Sequence, residues 1–245
     1  MTARPLAEEN PALPKACIPI LCAECGMDRF CALLGLDGTG TAKRAEIYRR
    51  GQVLFRQGDT FDYIYALRSG SVKTSVSGKG RRVQITGFHF AGEPLGLSAY
   101  AKKQYGCAAE ALETSSVCKV DVNRVEEIAR TVPSMYAEMV TMLSVRVQQD
   151  EQLIFLLGTR RAEERLADFL IGLSRRVASR AYFPTQFRLS MSRREIGSHL
   201  GMAEETICRI LARLHDSGCI TLTRRTVRIN DMERLSAIVS SAPVD

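Results

Sequence analysis

Residues 134–157 contain neither glycine nor proline, and two apolar stripes with alternating spacings of four and three run through them. One stripe is Met135, Met139, Met142, Arg146, Gln149, Leu153 and Leu156; the other is Tyr136, Val140, Leu143, Val147, Asp150, Ile154 and Leu157. Such a segment reads as one long helix, about 36 Å at 1.5 Å per residue. With two neighbouring heptad stripes it can lay one on its own domain and offer the other to a second copy of itself. A helix of that length in mid-chain splits 245 residues into two domains of ordinary size.

Before the helix, from about Glu46 to Val122, short apolar runs alternate with turn glycines: Val53-Leu-Phe, Gly58-Asp, Tyr63-Ile-Tyr-Ala-Leu, Ser69-Gly, Val83-Gln-Ile and Gly92. That spacing reads as an antiparallel barrel or jelly roll, and a β-sandwich without a sensory role fits the same runs. After the helix, Gly158 and Thr159-Arg-Arg suggest a hinge, and residues 162–178 read as a scaffold helix, apolar at Leu166, Phe169, Leu170 and Leu173. From Thr159 to Asp245 there are fifteen Arg, no Lys and ten Asp or Glu, a balance of +5 within a chain of net charge +7. Basicity carried by Arg alone favours phosphate and guanine recognition, because the guanidinium fork matches both bidentately.

Ser192-Arg-Arg-Glu195 is a capping box that starts a helix through Ile196 and Leu200, and Gly201 supplies a turn. A second helix follows, with Ile207, Ile210, Leu211 and Leu214 facing inward and Glu205, Cys208, Arg209 and Arg213 on the other side. Glu205 and Arg209 share a face; they form either an i,i+4 ion pair, or contacts from Arg209 to guanine and from Glu205 to cytosine. Residues 218–230 alternate like a hairpin wing whose Arg224, Arg225 and Arg228 suit phosphates. His89, His199 and His215 are scattered, and no catalytic constellation is found, so an enzyme or electron-transfer role is not expected.

Three of the eight cysteines lie within ten residues, Cys22-Ala-Glu-Cys25-Gly-Met-Asp-Arg-Phe-Cys31, a spacing suited to zinc or an iron–sulfur cluster. No stretch reaches the ~20 apolar residues of a membrane span and no cleavable leader is evident, so a cytoplasmic chain is expected, in which such cysteines bind metal rather than form disulfides. Cys17 could complete a local four-cysteine site with Cys22, Cys25 and Cys31; Cys118 could then be a small strand residue.

The cysteine spacing, with Gln84-Ile-Thr-Gly-Phe-His89, Ala111-Leu-Glu-Thr114, Ala162-Glu-Glu-Arg-Leu166 and Glu195-Ile-Gly followed by Glu205-Thr-Ile-Cys-Arg209, resembles the FNR branch of the CRP/FNR regulators from about Cys22 to Leu235. The resemblance implies an α+β chain: a mobile arm (1–21), a cluster-binding segment with a cyclic-nucleotide-binding-like β-roll (22–131), a dimerisation helix (132–158) and a winged helix-turn-helix (159–245). It implies an oxygen-labile [4Fe–4S] cluster on Cys22, Cys25, Cys31 and Cys118, with zinc or reversible thiols as the alternative. It further implies a homodimer joined along Tyr136, Val140, Leu143, Val147, Asp150, Ile154 and Leu157, binding to TTGAT-like palindromes in double-stranded DNA, and RNA polymerase as a partner in controlling anaerobic genes. The surface loop at residues 77–82 could touch that polymerase or be a solvated turn. No cyclic nucleotide is expected, because Tyr105-Gly-Cys-Ala-Ala lacks the Arg-Ser pair of the cyclic-AMP receptor branch.

Two departures from the family pattern bear on half-site preference: Cys208 stands where Ser is usual, and Ala203 where relatives place a capping Thr. Glu204 and Glu205 compensate in part at the positive end of the helix dipole. Asp150 is the odd member of the seam. Two bare facing carboxylates about 5 Å apart would repel by roughly 3 kcal/mol at an effective dielectric near 20.

Overall fold

The computed structural model describes residues 26–35, 45–78, 80, 82–178 and 185–240. A short helix α1 (Asp28–Leu33) precedes eight strands: β1 (Glu46–Tyr48), β2 (Val53–Phe55), β3 (Tyr63–Ser69), β4 (Ser71–Ser77), β5 (Val83–Phe90), β6 (Pro94–Leu95), β7 (Ala108–Ala111) and β8 (Ser115–Asp121). They form two four-stranded antiparallel sheets, in the orders β1-β8-β3-β6 and β2-β7-β4-β5. Period-two alternation turns Ala109, Ala111 and Val117 inward to meet Phe55, Ile64, Leu67 and Val72, which fill the roll.

Asp121 caps α2 (Val122–Thr131) by accepting from Asn123 N at 2.8 Å, and Pro133 then opens the 27-residue α3 (Pro133–Thr159). The helix runs through Gly158, so the break falls at Arg160, whose backbone is extended, rather than at the glycine. Its two stripes separate by exposure. Met135, Met139 and Leu156 are buried, whereas Tyr136, Val140, Val147 and Ile154 are 66%, 43%, 53% and 71% exposed.

Beyond the break, α4 (Ala162–Ala178) buries Leu166, Leu170 and Leu173, with Phe169 half-buried. The order then runs β9 (Gln186–Arg188), α5 (Arg193–Leu200), α6 (Glu204–Asp216), β10 (Ile220–Thr223), β11 (Thr226–Ile229) and α7 (Met232–Ser240), with a small sheet ordered β10-β11-β9. β5 is the open edge of its sheet, and it joins the two units. Its Ile85 and Phe88 pack into the C-terminal core, its Ile85 N–H donates to Ser198 Oγ at 3.1 Å, and the Gln84 amide donates to the Ser198 carbonyl. A bare strand edge invites pairing with another chain, and here α5 covers it. Among the described residues, no helix is long and apolar enough to cross a membrane.

Candidate nucleic-acid interface, helix seam and cysteine positions

The capping box forms as the sequence requires: Glu195 N donates to Ser192 Oγ at 3.2 Å and Ser192 N to Glu195 Oε2 at 2.7 Å. Gly201 ends α5 in the left-handed region at φ 64°, and the chain turns into α6. Gly197 permits this turn, because a Cβ there would stand 2.5 Å from the Met202 carbonyl oxygen. Inward-facing Ile207, Ile210, Leu211 and Leu214 fix the roll of α6 about its axis, leaving Glu205, Cys208 and Arg209 exposed together. Among the described residues Glu205 and Arg209 make no ion pair with each other. Arg213, also exposed, is held by Glu163 of α4 at 3.2 Å. Ala203 is the N-cap residue and makes no side-chain cap, so Glu204 and Glu205 alone act on that end.

Arg224 and Arg225 form the two-residue loop between β10 and β11, and Arg224 is left-handed at φ 53°, a conformation that costs a side-chain-bearing residue ~1 kcal/mol. Sequence reasoning gave Arg193 no role beyond filling the capping box. In the structure burial, with the positive charge of Arg225 adding to it, pulls its pKa below the usual value. The signal was its position at the first turn of the first helix.

Of the four cysteines expected to ligate, Cys22 and Cys25 lie outside the described residues, as does the rival Cys17. Cys31 sits on α1 and Cys118 on β8 opposite Ala66, both half-buried against the roll's core. Two half-exposed thiols backed by one apolar core suit a thiolate-bound metal. Cys219, in contrast, is fully buried and its thiol donates to the Asp231 carbonyl at 3.7 Å, as a core residue does. Phe30 of α1 and its flanking Met27 and Leu34 are buried in the same core as Met135 and Met139 of α3, and Arg124 Nη2 donates to the Leu34 carbonyl at 3.0 Å.

On the seam, Asp150 is not a bare carboxylate. Arg146 grips it through Nη2–Oδ1 at 2.7 Å and Nε–Oδ2 at 3.2 Å, so the charge on that face is that of an ion pair. A cavity of about 560 Å³ lies between the roll and α3; residues 105–109 contribute Gly106 and Cys107 to its wall but no cation. Its cations, Lys102 and Arg146, come from elsewhere.

The junction of roll and C-terminal unit is polar and enclosed. Glu195 also takes Lys73 Nζ at 2.8 Å, and burial, which raises its pKa, is outweighed by hydrogen bonds from Lys73 and Ser192 that hold it low. Arg176 of α4 binds Glu93 at 2.6 Å and the Phe88 carbonyl at 2.5 Å. The histidines that look scattered in sequence converge here in part. His89 Nε2 pairs with Thr74 Oγ1 at 3.1 Å, and burial, then Arg146, Arg176 and His199, keep its pKa well below 6.5. His199, packed 5.1 Å from the Phe88 ring, is pushed down to about 4, chiefly by burial.

A β-roll, a long helix with an exposed apolar seam, and a winged helix-turn-helix with an exposed arginine on its second helix define a DNA-binding regulator. The Crp-like helix-turn-helix domain family matches residues 164–238, and the cyclic nucleotide-binding domain family matches residues 45–132. The chain is 37% identical to the transcriptional activator protein FnrA of Stutzerimonas stutzeri, covering 90% of this chain and 93% of that protein. It is 38% identical to the transcriptional activator protein Anr of Pseudomonas aeruginosa, over 93% and 94% of the two chains. The solved structure of FixK2 from Bradyrhizobium japonicum superposes with a TM-score of 0.75 at 28% identity, covering 81% of this chain and 98% of that one. The protein belongs to the CRP/FNR family of transcriptional regulators.

Proposed function

We propose that this regulator binds TTGAT-like palindromes as a homodimer, in the cytoplasm, and that oxygen governs its pairing through a [4Fe–4S] cluster on Cys22, Cys25, Cys31 and Cys118. The observation that carries this is the seat of α1: the helix bearing Cys31 packs on the N-terminal half of α3, the helix with the exposed apolar seam. When bound, the cluster supplies an oxygen-labile, thiolate-ligated iron centre. Anchoring Cys31 and Cys118 to one centre fixes α1 against the roll, so that Phe30 keeps Met135 and Met139 in place beneath the seam. With α3 so held, Tyr136, Val140, Leu143, Val147, Ile154 and Leu157 meet their copies, and Asp150 opposes the pairing by whatever charge it presents there. Dimerisation sets two copies of α6 at the spacing of two half-sites. Arg209 then reads guanine, Glu205 accepts from cytosine, Cys208 meets a thymine methyl, and Arg224, Arg225 and Arg228 meet phosphates. The bound dimer is placed to recruit RNA polymerase.

Anaerobic purification of Ser variants, with absorbance, iron and sulfide assay, tests the ligand set. Cys22→Ser, Cys25→Ser, Cys31→Ser and Cys118→Ser each lose the cluster, and Cys17→Ser, Cys107→Ser, Cys208→Ser and Cys219→Ser keep it. A colourless wild type holding zinc would reject the cluster, and full iron in Cys118→Ser with loss in Cys17→Ser would move the fourth ligand.

A further inference from the structure

We propose that Arg146 is a positioning residue for dimer formation: its guanidinium masks the Asp150 carboxylate on the seam, and strand β5 of the roll holds it there. The proposal rests on the reading of the exposed face of α3 as the dimer seam. Arg146 belongs to the stripe that meets its own roll and Asp150 to the neighbouring stripe; four residues apart, the two lie side by side on the helix, at the border between the roll and the seam. It binds both carboxylate oxygens, at 2.7 and 3.2 Å, with its side chain 31% exposed. Such a fork neutralises a carboxylate in a fixed orientation. An acid four residues C-terminal to its base is the less favourable order for helix stability, so local helix energetics give little reason for the pair.

The other side of the guanidinium lies against β5. A Cβ added at Gly87 would stand 3.2 Å from Arg146 Nη1, and equally 3.2 Å from His89 Nε2 and Thr74 Oγ1. Gly87 thus leaves the space that the arginine occupies. The strand is irregular at this point: Thr74 pairs with Gly87 and Ser75 with Ile85, so Thr86 is an extra residue, with its hydroxyl 3.1 Å from that of Thr74. The roll therefore presents a shaped recess to Arg146. One residue further on, the Phe88 carbonyl is gripped by Arg176 from the DNA-binding unit.

Two facing Asp150–Arg146 pairs meet as dipoles, which repel far less than two net charges. Arg146 in place permits pairing, and Arg146 displaced exposes the carboxylate and opposes it. The roll thereby controls the charge of the seam through one side chain.

The test is sedimentation equilibrium of the full chain under anaerobic conditions, at matched iron content, for wild type, Arg146→Met, Asp150→Asn and the double variant. Methionine keeps an unbranched stem and removes the fork. Arg146→Met is expected to raise the dimer Kd tenfold or more, and in the Asp150→Asn background to change it less than twofold, the signature of a pairwise coupling. Added salt shrinks the Arg146→Met effect. Gly87→Ala, which leaves the arginine in the sequence but crowds its recess, is expected to raise Kd severalfold, again only when Asp150 is present; it decides the matter if Arg146→Met does not fold. Equal effects of Arg146→Met with and without Asp150 would overturn the proposal, as would no effect while Asp150→Asn tightens the dimer. Asp150→Asn alone is expected to pair much as wild type does, and a wild type that stays monomeric at every concentration would instead remove the reading of this face as a dimer seam, and this proposal with it.

Discussion

The DNA-reading face and the junction beneath it use the same residue types in opposite ways. On α6 and the wing, Arg209 and Arg224 stand exposed, while Arg225 is half-buried. At the junction, Lys73, Arg176 and Arg146 each already hold a carboxylate from another strand or turn of helix, and His89 and His199 are enclosed without charge. A face built for a charged partner keeps its cations in water, where they cost little until the partner comes. A junction that must keep two units in register pairs its cations internally, because an unpaired buried charge is expensive. The contrast separates changes that alter DNA binding from changes that alter stability or pairing.

The largest effect belongs to the junction and follows from its histidines. His199 has a folded-state pKa of about 4 and that of His89 lies well below 6.5, against 6.5 for both when unfolded. Above pH 6.5 neither state holds the proton. As pH falls from 6.5 towards 4, the unfolded chain takes up protons that the folded one refuses, so stability drops; His199 alone accounts for about 3 kcal/mol by pH 4. The groups facing the pair are Arg146 from α3, Arg176 from α4 and Glu93 from the turn between β5 and β6. Denaturant unfolding followed by circular dichroism between pH 7 and 5 should show this slope in the wild type and a shallower one in His199→Gln. Parallel curves would place the acid sensitivity elsewhere.

How the two regions could be read from sequence differs for a physical reason. The reading unit is written in short-range rules: Ser192 and Glu195 are three apart, and the inward leucines and isoleucines of α6 recur at helical spacing, so its start, turn and exposed face are all legible. The α3 stripes were legible too, because a helix repeats every few residues. The junction was not. Lys73 and Glu195 are 122 positions apart and Arg176 and Glu93 are 83, and no local pattern couples residues across such distances. His89 and His199 looked scattered for the same reason. Asp150 was read as bare although its partner stood four residues earlier on the same side of the helix; assigning the two to separate heptad stripes hid an i,i+4 pair that spacing alone would have given. The hinge read at Gly158 and Thr159-Arg-Arg falls at Arg160, two residues past the glycine, because neighbouring helical residues carry α3 through Gly158.

A middle-sized effect tests the face. Arg209→Ala should lose about 1–3 kcal/mol on a TTGAT-type palindrome, roughly 5- to 150-fold, with little change on a scrambled duplex of the same length. Its unfolding midpoint should stay with the wild type, since Arg209 is exposed and its removal leaves no buried group unpaired. Gel shifts on both duplexes at one salt concentration decide: equal loss on the two would make Arg209 a phosphate contact, and a lowered midpoint would make it part of the packing.

The smallest effect lies at the wing, where strain and binding pull in opposite directions. Arg224 sits at φ 53°, where glycine is at ease and an L side chain is not. Arg224→Gly relieves about 1 kcal/mol in the folded state and gives part of it back by loosening the unfolded chain, so the unfolding midpoint should rise by about 1–2 °C. If the guanidinium meets a phosphate, the same change weakens binding to every duplex alike and lowers the magnitude of the log–log salt slope by ~1. A residue kept in a strained conformation for a contact made only on DNA should show both shifts together. A higher midpoint with an unchanged salt slope would leave the strain without a binding role and pass the phosphate contact to Arg225 and Arg228.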